Sequence, residues 1–508
     1  MGGIDVMATV TLDTVTHYIN GEKVKGQNDK FGYVYSPSTG QKIAAVPYAS
    51  DEEVDETIQL AKKAAAKWAK VSVGKRVEVL FKFRQLLVEN TEELAQLIGK
   101  ENGKTISDAK GEISRGIESV DLAIGAPQIL KGEYSVNVGG EINAYSMKQP
   151  LGVVTCISPF NFPVMVPLAM SVMAVAVGNA MILKPSEKVP YSAILLSELW
   201  EKAGLPAGVW NVVNGDKNTV NAIITHQDIQ AISFVGSTKV AEFIYETGTK
   251  HHKRVNAFGG GKNHMVIMPD ADIDKAVDSF LGAAYGSASQ RCMAISVAMP
   301  VGRKTAEVFT GKLKEKVEKL KAGSYDDETA DFGAVISAEA KQSILSAIDE
   351  AVKEGANIVV DGRNPDVENK EGFYLDATLL DNVTSDMNIY KEEVFGPVRT
   401  ITAVDSIDEA IQLLNNHQYG NGVTVFTNSG RDAREFTQEI EVGMVGVNVP
   451  IPIPVGYHNF GGWKDSRFGE GQMFGPDTAR FFTKTKTVSE RWFDQSASDE
   501  TNFDFPSS

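Results

Sequence analysis

Apolar residues recur at helical spacing through the first quarter of the chain. Ser50 and Glu53 form a capping box directly before this pattern begins. The spacing predicts three helices, at about residues 51–69, 75–101 and 106–126. After them the sequence from 129 to 147 is polar and strand-like, which predicts strands there rather than another helix.

From residue 152 onward, short apolar strands alternate with helices. Strands are expected at 152–157, 180–183, 209–213 and 231–234, and the helices between and after them at 164–177, 191–203, 217–225 and 239–247. The alternation resumes from about 264 to 450, with helices near 273–289, 303–320, 337–354 and 407–415. Such alternation is typical of right-handed βαβ units, so the sequence predicts an α/β fold built on parallel sheets.

Composition limits the possible partners and the compartment. A chain of 508 residues is long enough for two or three domains. Its net charge of −16 disfavours binding to nucleic acid or to anionic lipid. The most apolar stretch, 164–177, is too short to span a bilayer. Two cysteines and an N-terminus without a targeting pattern indicate a reducing compartment, and we expect the cytoplasm.

Glycines lie in two of the predicted strand–helix turns. Gly215 follows one strand, and Gly236-Ser237 follows the next. The N–H groups of a helix that begins at such a turn can bind a pyrophosphate. The strict G-x-G-x-x-G fingerprint is absent from the chain. The turns therefore fit a dinucleotide site and plain structural turns about equally well.

Lys184 and Glu187 follow the end of another predicted strand. Ligands of α/β proteins bind at the carboxyl ends of parallel strands, where these two side chains could hold ribose hydroxyls. A solvated loop is the alternative interpretation.

Cys292 is the candidate nucleophile. It follows a segment rich in Gly, Ala and Ser, which leaves room for a ligand to approach the backbone. Arg291 adjoins it, and a positive charge lowers the pKa of a thiol. The alternative is an inert buried cysteine, which is our interpretation of Cys156 within its apolar strand.

Arg115 has a plain structural explanation from its spacing. Glu112 and Glu118 each lie three residues away on the same predicted helix, so a surface ion pair accounts for it.

Several segments taken together resemble the aldehyde dehydrogenase superfamily, in order and spacing, from about residue 16 to 492. They are Ser158-Pro-Phe160-Asn161-Phe-Pro, Lys184-Pro-Ser-Glu187, Phe234-Val-Gly236-Ser-Thr, Gln290-Arg-Cys292 and Glu392-Glu393-Val-Phe395-Gly-Pro. The resemblance implies an NAD-dependent enzyme in which Cys292 is the nucleophile. It also implies that Asn161, with the backbone N–H of Cys292, forms the oxyanion hole.

The resemblance also assigns the cofactor contacts. It places the adenosine ribose on Lys184 and Glu187, the pyrophosphate at Gly236 and Ser237, and the nicotinamide ribose and ring at Glu393 and Phe395. The other expected contributors to the NAD site are Ser158, Phe160 and Gly215. No bound metal is expected.

One departure separates this chain from the hydrolytic members of the superfamily. Those members carry a glutamate that activates water in a Glu-Leu-Gly-Gly-Lys segment. Here no acidic residue lies between Arg254 and Pro269. A thioester on Cys292 therefore needs a better acceptor than water, and the resemblance implies coenzyme A.

The sequence is most similar to the CoA-acylating methylmalonate-semialdehyde (malonate-semialdehyde) dehydrogenase branch. The resemblance there rests on Lys262-Asn-His264, Gln290-Arg-Cys-Met293-Ala, Gly443-Met-Val-Gly-Val-Asn448 and the C-terminal Thr483–Thr487 stretch. In that branch two arginines bind the substrate carboxylate, and they fall on Arg115 and Arg291. The chain departs from the branch at Ser289, where glycine is usual, and over 455–460.

The resemblance implies a doubly wound NAD-binding domain, an α/β catalytic domain and an oligomerisation arm. The expected bounds are 1–126 with 148–258, 259–477, and 127–147 with 478–492, followed by a disordered tail at 493–508. The arm implies a homodimer or homotetramer. Two alternatives are a hydrolytic semialdehyde or betaine-aldehyde dehydrogenase that forms a free acid, and a non-catalytic relative on the same scaffold.

Overall fold

The computed structural model describes residues 12–493, so most of the predicted tail lies outside the described residues. The helices in this range are α1 Asp51–Trp68, α2 Val73–Glu89, α3 Thr91–Asn102, α4 Ile106–Ile124, α5 Ala126–Ile129, α6 Met165–Ala176, α7 Tyr191–Lys202, α8 Lys217–Thr225, α9 Thr238–Lys250, α10 Ile273–Tyr285, α11 Arg303–Val317, α12 Ala338–Glu354, α13 Asn388–Lys391, α14 Ile407–Asn416, α15 Gly430–Glu439 and α16 Asp477–Phe481.

The strands over the same range form five sheets. In chain order they are β1 Asp13–Thr14, β2 His17–Ile19, β3 Glu22–Val24, β4 Phe31–Tyr35, β5 Lys42–Pro47, β6 Tyr134–Ser135, β7 Asn143–Pro150, β8 Val153–Ile157, β9 Ala180–Lys184, β10 Trp210–Val212, β11 Ile229–Val235, β12 Arg254–Phe258, β13 Asn263–Ile267, β14 Ile295–Pro300, β15 Asn357–Val360, β16 Thr378–Asp381, β17 Val398–Ile401, β18 Tyr419–Gly420, β19 Gly422–Phe426, β20 Met444–Val447, β21 Trp463–Lys464, β22 Arg467–Gly469 and β23 Thr483–Glu490.

The largest sheet has the order β22-β12-β11-β8-β9-β10-β2-β3. Its five strands from β8 to β12 run parallel, and β8 lies in the middle of them. The chain proceeds from β8 through β9 to β10 on one side, then returns to β11 and β12 on the other. The order therefore reverses between β8 and β11, and a doubly wound sheet binds its ligand at such a switch point.

A second sheet has the order β15-β16-β17-β14-β13-β19-β20 and is parallel except for β15. All of its strands come from residues 263–447, whereas the first sheet takes β22 from beyond that range. The two sheets have largely separate cores, with Ile182 and Ile232 among the side chains of the first and Val266 and Leu379 among those of the second. The prediction of an α/β fold built on parallel sheets is confirmed.

A small three-stranded sheet lies in the segments predicted to form an arm. Strand β23 pairs antiparallel with β7 along eight residues, and β6 pairs with the other edge of β7. The side chains of Tyr134, Val136 and Trp492 are exposed here. The oligomer itself stays a prediction.

Side-chain caps begin seven of the sixteen helices of the described residues, and the prediction for the second helix was wrong. Ser50 and Glu53 make both bonds of the predicted capping box at the start of α1. The single helix predicted at 75–101 is instead two helices, because Asn90 leaves helical geometry and its side chain donates to the Leu86 carbonyl. An asparagine amide competes with the backbone ladder in this way. No helix among residues 12–493 combines the length and the apolarity that a membrane span requires.

Candidate active site

A cavity of about 570 Å³ opens at the carboxyl ends of the parallel strands in the first sheet. Segments that follow β8, β9, β11 and β12 line it on one side. Cys292 and the loop of Glu393 and Phe395 complete it. The predicted site residues that line it are Ser158, Phe160, Asn161, Lys184, Glu187, Gly236, Ser237, Cys292, Glu393 and Phe395. These predicted residues come from five separate segments of the chain, and the fold brings them to one cavity.

The backbone of Cys292 is held by two side-chain amides. Asn263 Nδ2 donates to the Cys292 carbonyl at 2.9 Å, and Asn421 Nδ2 donates to the same oxygen at 3.2 Å. A second bond runs from Asn263 Nδ2 to the Ala294 carbonyl at 3.0 Å. These bonds fix the peptide of Cys292 without using its sulfur, so the thiol stays free to react. The sequence analysis missed Asn263 and Asn421, because only the fold brings them to this carbonyl.

A left-handed turn precedes the cysteine. Ser287, Ala288 and Ser289 have φ values of 58°, 49° and 62°. Three consecutive L-residues in this region are costly, at about 1–2 kcal/mol each. Helix α10 therefore ends at Tyr285, not at 289 as the sequence predicted. Strain of this kind is typical of functional sites that the surrounding structure holds in place.

Ser289 is expected to tolerate glycine better than alanine. Its Oγ donates to the Ala284 carbonyl at 2.6 Å. Ser289→Gly loses that bond but relieves the left-handed strain, whereas Ser289→Ala loses the bond and keeps the strain. We expect Ser289→Ala to be less stable than Ser289→Gly by about 1 kcal/mol in thermal or denaturant unfolding. Equal stability of the two variants would mean that the turn is not strained at this residue.

Asn161 faces the same loop. Its Nδ2 donates to the Gln290 carbonyl at 3.0 Å, and the residue is buried. One N–H of the amide is thereby occupied, and the second remains available to a ligand. This bond also fixes which end of the amide faces the cysteine loop. The arrangement suits an oxyanion donor, which must be in place before charge develops.

Burial dominates the electrostatics around the thiol. It raises the pKa of the Cys292 thiol to about 12, and the neighbouring Glu393 carboxylate adds to the effect. Arg291 lowers this pKa, as expected, but its contribution is the smallest, so burial decides the net shift. Burial also raises the pKa of Glu393 to about 7, although the Gly261 N–H donates to its Oε1. The thiol is therefore protonated in the free protein at neutral pH.

The opposite part of the cavity has the chemistry of a nucleotide site. Lys184 Nζ and Glu187 Oε2 lie 3.1 Å apart. Burial works against ionisation of Glu187, yet Lys184 holds the pKa of this carboxyl below its usual value. Ser237 precedes α9 and makes no side-chain capping bond, so the N–H groups at the start of this helix are not capped by its side chain. A Cβ on Gly236 would lie 2.4 Å from the Phe234 ring, so only glycine fits this turn.

Gly215 does not line the cavity. The helix that follows it, α8, has Asp216 as its N-cap, and the Asp216 carboxylate accepts hydrogen bonds from the Asn218 and Thr219 N–H groups. Because the Asp216 side chain already bonds these N–H groups, they are not free to bind a phosphate. A Cβ on Gly215 would lie 2.0 Å from Thr219 Oγ1, so close packing against Thr219 explains the glycine at this position.

The two arginines predicted to bind a carboxylate are engaged with protein groups. Arg115 Nη1 lies 2.8 Å from Glu118 Oε2, and its Nη2 donates to the Pro454 carbonyl at 2.8 Å. Arg291 forms an ion pair with Asp108. Neither arginine lines the cavity, so their carboxylate-binding role stays a prediction. The ion pair that the helix spacing suggested for Arg115 is present, with Glu118 as the partner.

The segment before Lys262 supplies no carboxylate. Phe258 stands four residues before Lys262, is buried, and packs its ring 6.2 Å from that of Phe460. Gly259 and Gly260 then line the cavity with backbone alone. Glu187 and Glu393 are the carboxylates among the lining residues.

This combination of a doubly wound sheet, a partly buried thiol and an asparagine amide in the same cavity defines the class. The chain belongs to the aldehyde dehydrogenase family, whose model matches residues 24–488.

Individual relatives are more specific. A malonate-semialdehyde dehydrogenase of Pseudomonas aeruginosa is 50% identical over 497 residues, which cover 98% of this chain and 100% of the relative. The crystal structure of a methylmalonate-semialdehyde dehydrogenase from Oceanimonas doudoroffii is 47% identical, with a TM-score of 0.94 and coverage of 95% and 99%. A Sinorhizobium meliloti structure assigned to the same activity, complexed with NAD, is 48% identical with a TM-score of 0.95, covering 96% of this chain and 99% of that one.

Proposed function

We propose that this chain is an NAD-dependent, CoA-acylating dehydrogenase of malonate or methylmalonate semialdehyde. One observation carries the proposal: Cys292 and Asn161 share a cavity that the segment before Lys262 lines only with the backbone of Gly259 and Gly260, so this segment brings no carboxylate to it. The names of the relatives support the same substrate class. The expected products are acetyl-CoA or propionyl-CoA, formed with loss of the substrate carboxylate as CO₂.

The residues present fit NAD. The start of α9 at Ser237 and the close approach allowed by Gly236 suit a pyrophosphate. Lys184 and Glu187 suit a ribose, and the buried Ser158 Oγ has no partner among the described residues and can bond a ligand. Phe160 and Phe395 meet edge to face at 5.9 Å beside this region. When bound, NAD accepts the hydride that leaves the substrate carbon.

The chain's own groups perform the addition. Cys292 releases its proton to solvent and its sulfur adds to the aldehyde carbon, which forms a C–S bond and turns the carbonyl oxygen into an oxyanion. The free N–H of Asn161 and the backbone N–H of Cys292 then stabilise that oxygen. Departure of hydride leaves an acyl thioester on Cys292. The β-carboxylate leaves as CO₂ because the thioester carbonyl stabilises the resulting enolate, and a proton from solvent then converts the enolate to the acyl thioester. The thiol of CoA adds to this thioester, and the C–S bond to Cys292 breaks, which transfers the acyl group to CoA and restores the cysteine thiol.

The decisive experiment measures NADH and the organic product from malonate semialdehyde, with and without CoA. We expect turnover to depend on CoA and to yield acetyl-CoA. Free acid formed at an equal rate without CoA would overturn the acylating assignment.

A hydrolytic enzyme is the second candidate, and Glu393 is the observation that favours it. This carboxyl lies in the same cavity, and its pKa of about 7 suits a general base. The free-acid outcome above would support this candidate, and loss of that activity in Glu393→Gln would assign the base.

Arg115→Leu is expected to raise KM for malonate semialdehyde at least about tenfold while leaving the oxidation of propanal nearly unchanged. A charge-assisted bidentate contact of about 1.5–3 kcal/mol accounts for an effect of this size. The guanidinium keeps N–H groups beyond those bonded to Glu118 and Pro454. Steady-state kinetics with both aldehydes measure the difference.

Glu118→Gln is the matched control for that variant, because it breaks the ion pair but keeps the guanidinium. If Glu118→Gln reproduces the effect of Arg115→Leu, or if Arg115→Leu impairs both aldehydes equally, Arg115 serves the helix and not the substrate.

We expect NAD to be preferred over NADP, with Glu187 as the reason. A carboxylate that accepts a ribose 2′-hydroxyl repels a 2′-phosphate. Glu187→Gln should narrow the ratio of kcat/KM for the two cofactors. A wild-type enzyme that uses NADP equally well would show that Glu187 does not face the ribose.

We further propose the division of the chain given above, with 1–126 and 148–258 binding NAD and 259–477 carrying Cys292. The small sheet of β6, β7 and β23 would act as the arm of a homodimer or homotetramer. Free thiols at Cys156 and Cys292 fit a cytoplasmic location. Sedimentation or light scattering of the purified protein tests the oligomer.

A further inference from the structure

A buried lysine outside the predicted site contacts the loop that carries Asn161. Lys104 Nζ donates to the backbone carbonyl of Asn161 at 2.8 Å and to Glu112 Oε2 at 2.7 Å. Its side chain is 1% exposed, as is that of Glu112. The ammonium also lies 4.3 Å from the centre of the Phe162 ring. A lysine is rarely buried this completely unless its charge is compensated, and here Glu112 compensates it.

The other oxygen of Glu112 holds the next part of the same loop. Glu112 Oε1 accepts hydrogen bonds from the N–H groups of Val164 and Met165, at 2.8 and 3.1 Å, where α6 begins. Asn102 Nδ2 donates to the Phe160 carbonyl at 2.9 Å. The stretch from the end of α3 into α4 therefore forms hydrogen bonds with this loop on both sides of Asn161.

The same stretch of chain reaches the cysteine loop. Asp108, in the first turn of α4, forms the ion pair with Arg291, and Lys104 helps to hold the pKa of Asp108 below its usual value against the effect of burial. One short region thus contacts the residue before Cys292 and the backbone of Asn161. Cys292 is the proposed nucleophile, and the Asn161 side chain is the proposed donor to the substrate oxygen, so this region contacts the immediate surroundings of both.

We propose that Lys104 is a positioning residue for the oxyanion site. Its bond to the Asn161 carbonyl fixes the backbone from which the Asn161 amide projects, while that amide bonds Gln290 and keeps one N–H for the substrate oxygen. Stabilisation of an oxyanion depends on donors held in place before reaction, so a small displacement of Asn161 lowers the rate. This inference rests on the proposed role of Asn161.

A purely structural role for Lys104 is the competing explanation. Removing it leaves the Glu112 charge buried without its partner, which destabilises the fold whatever Asn161 does. The experiment must therefore separate a loss of kcat from a loss of stability. The chain offers a control in Lys253, which is also a buried lysine with two hydrogen bonds from its Nζ. Its partners are the carbonyls of His226 and Ile229, away from the cavity.

A double-mutant cycle with Asn161→Ala tests the proposal. We expect Lys104→Met to lower kcat at least about tenfold in the wild-type background, with NAD affinity within about twofold of normal. In the Asn161→Ala background the same change should lower kcat by less than about threefold, because the residue it positions is gone. Lys253→Met should lower the unfolding temperature without lowering kcat.

A charge-neutral variant completes the test. Lys104→Met combined with Glu112→Gln leaves no unpaired buried charge and keeps an oxygen for the Val164 and Met165 N–H groups. We expect it to regain unfolding temperature relative to Lys104→Met while kcat stays low. Recovery of kcat in step with stability would overturn the proposal.

The remaining outcomes are distinguishable. Equal losses of kcat from Lys104→Met in both backgrounds would overturn the positioning role while leaving the proposed function intact. If Asn161→Ala by itself lowers kcat by less than about fivefold, Asn161 is not the oxyanion donor, and the positioning role of Lys104 is refuted as well. CoA-dependent product formation by the wild type reports on the overall reaction independently of both.

Discussion

Cys292→Ala is expected to abolish NADH formation, with a loss of at least about 10⁴-fold in kcat, while NAD binding survives. The thiol is the proposed nucleophile, and if that role is correct, no hemithioacetal and no thioester can form without it. Substitution should not disturb the loop, because Asn263 and Asn421 bond the backbone carbonyl of this residue and not its sulfur. The left-handed turn before it is likewise formed by other residues.

The other cysteine provides the control. Cys156 is buried within β8, where burial raises the pKa of its thiol, and it does not line the cavity. Cys156→Ala should therefore keep its activity, apart from a modest loss of stability from the small cavity it leaves. Stopped-flow or steady-state absorbance at the NADH band, with NAD affinity from fluorescence titration, measures both variants. Activity of Cys292→Ala within tenfold of wild type would refute covalent catalysis through this residue.

Asn161→Ala should lower kcat by about a hundred- to a thousandfold and change NAD affinity little. The substitution removes the side-chain donor of the proposed oxyanion hole and leaves the backbone N–H of Cys292 as its remaining donor. The Gln290 carbonyl also loses its hydrogen bond, which costs about 1 kcal/mol of stability. A loss of kcat much larger than that stability change accounts for is the signature of a group that acts in the transition state.

Asn211 is a matched control for that variant. Its side chain is fully buried in β10, and its Nδ2 donates to the Gly208 carbonyl at 2.8 Å, but it does not line the cavity. Asn211→Ala should lower the unfolding temperature and leave kcat near normal. Comparable kinetics for Asn161→Ala and Asn211→Ala would show that Asn161 serves packing only.

Much of the fold follows from local pattern. The capping box at Ser50 and the alternation of short strands and helices after residue 152 are local signals, and the structure places the elements within a few residues of those predicted. The single helix predicted across Asn90 was wrong, because the competition between a side-chain amide and the backbone is decided residue by residue. Helix α15 at Gly430–Glu439 was not predicted.

Candidate site residues came from motif resemblance, and their assembly came from topology. Asn161 follows β8 and Lys184 ends β9, and adjacent parallel strands bring both to one edge of the sheet. Glu393 and Cys292 arrive from segments of the second sheet. No periodicity within the sequence relates these segments, because sheet order is a property of the folded chain.

The sequence by itself determined the capping box at Ser50 and Glu53 and the alternation that indicates parallel sheets. It also determined that one thiol follows a small-residue segment and that no acidic residue lies near Lys262. Only the tertiary structure decided the contacts across distant segments. It brought the Arg115 guanidinium to the Pro454 carbonyl, and it joined Lys104 to the carbonyl of Asn161. It also reversed the expected direction of the Cys292 pKa, because desolvation depends on what surrounds a group in space and outweighs a charged neighbour in sequence.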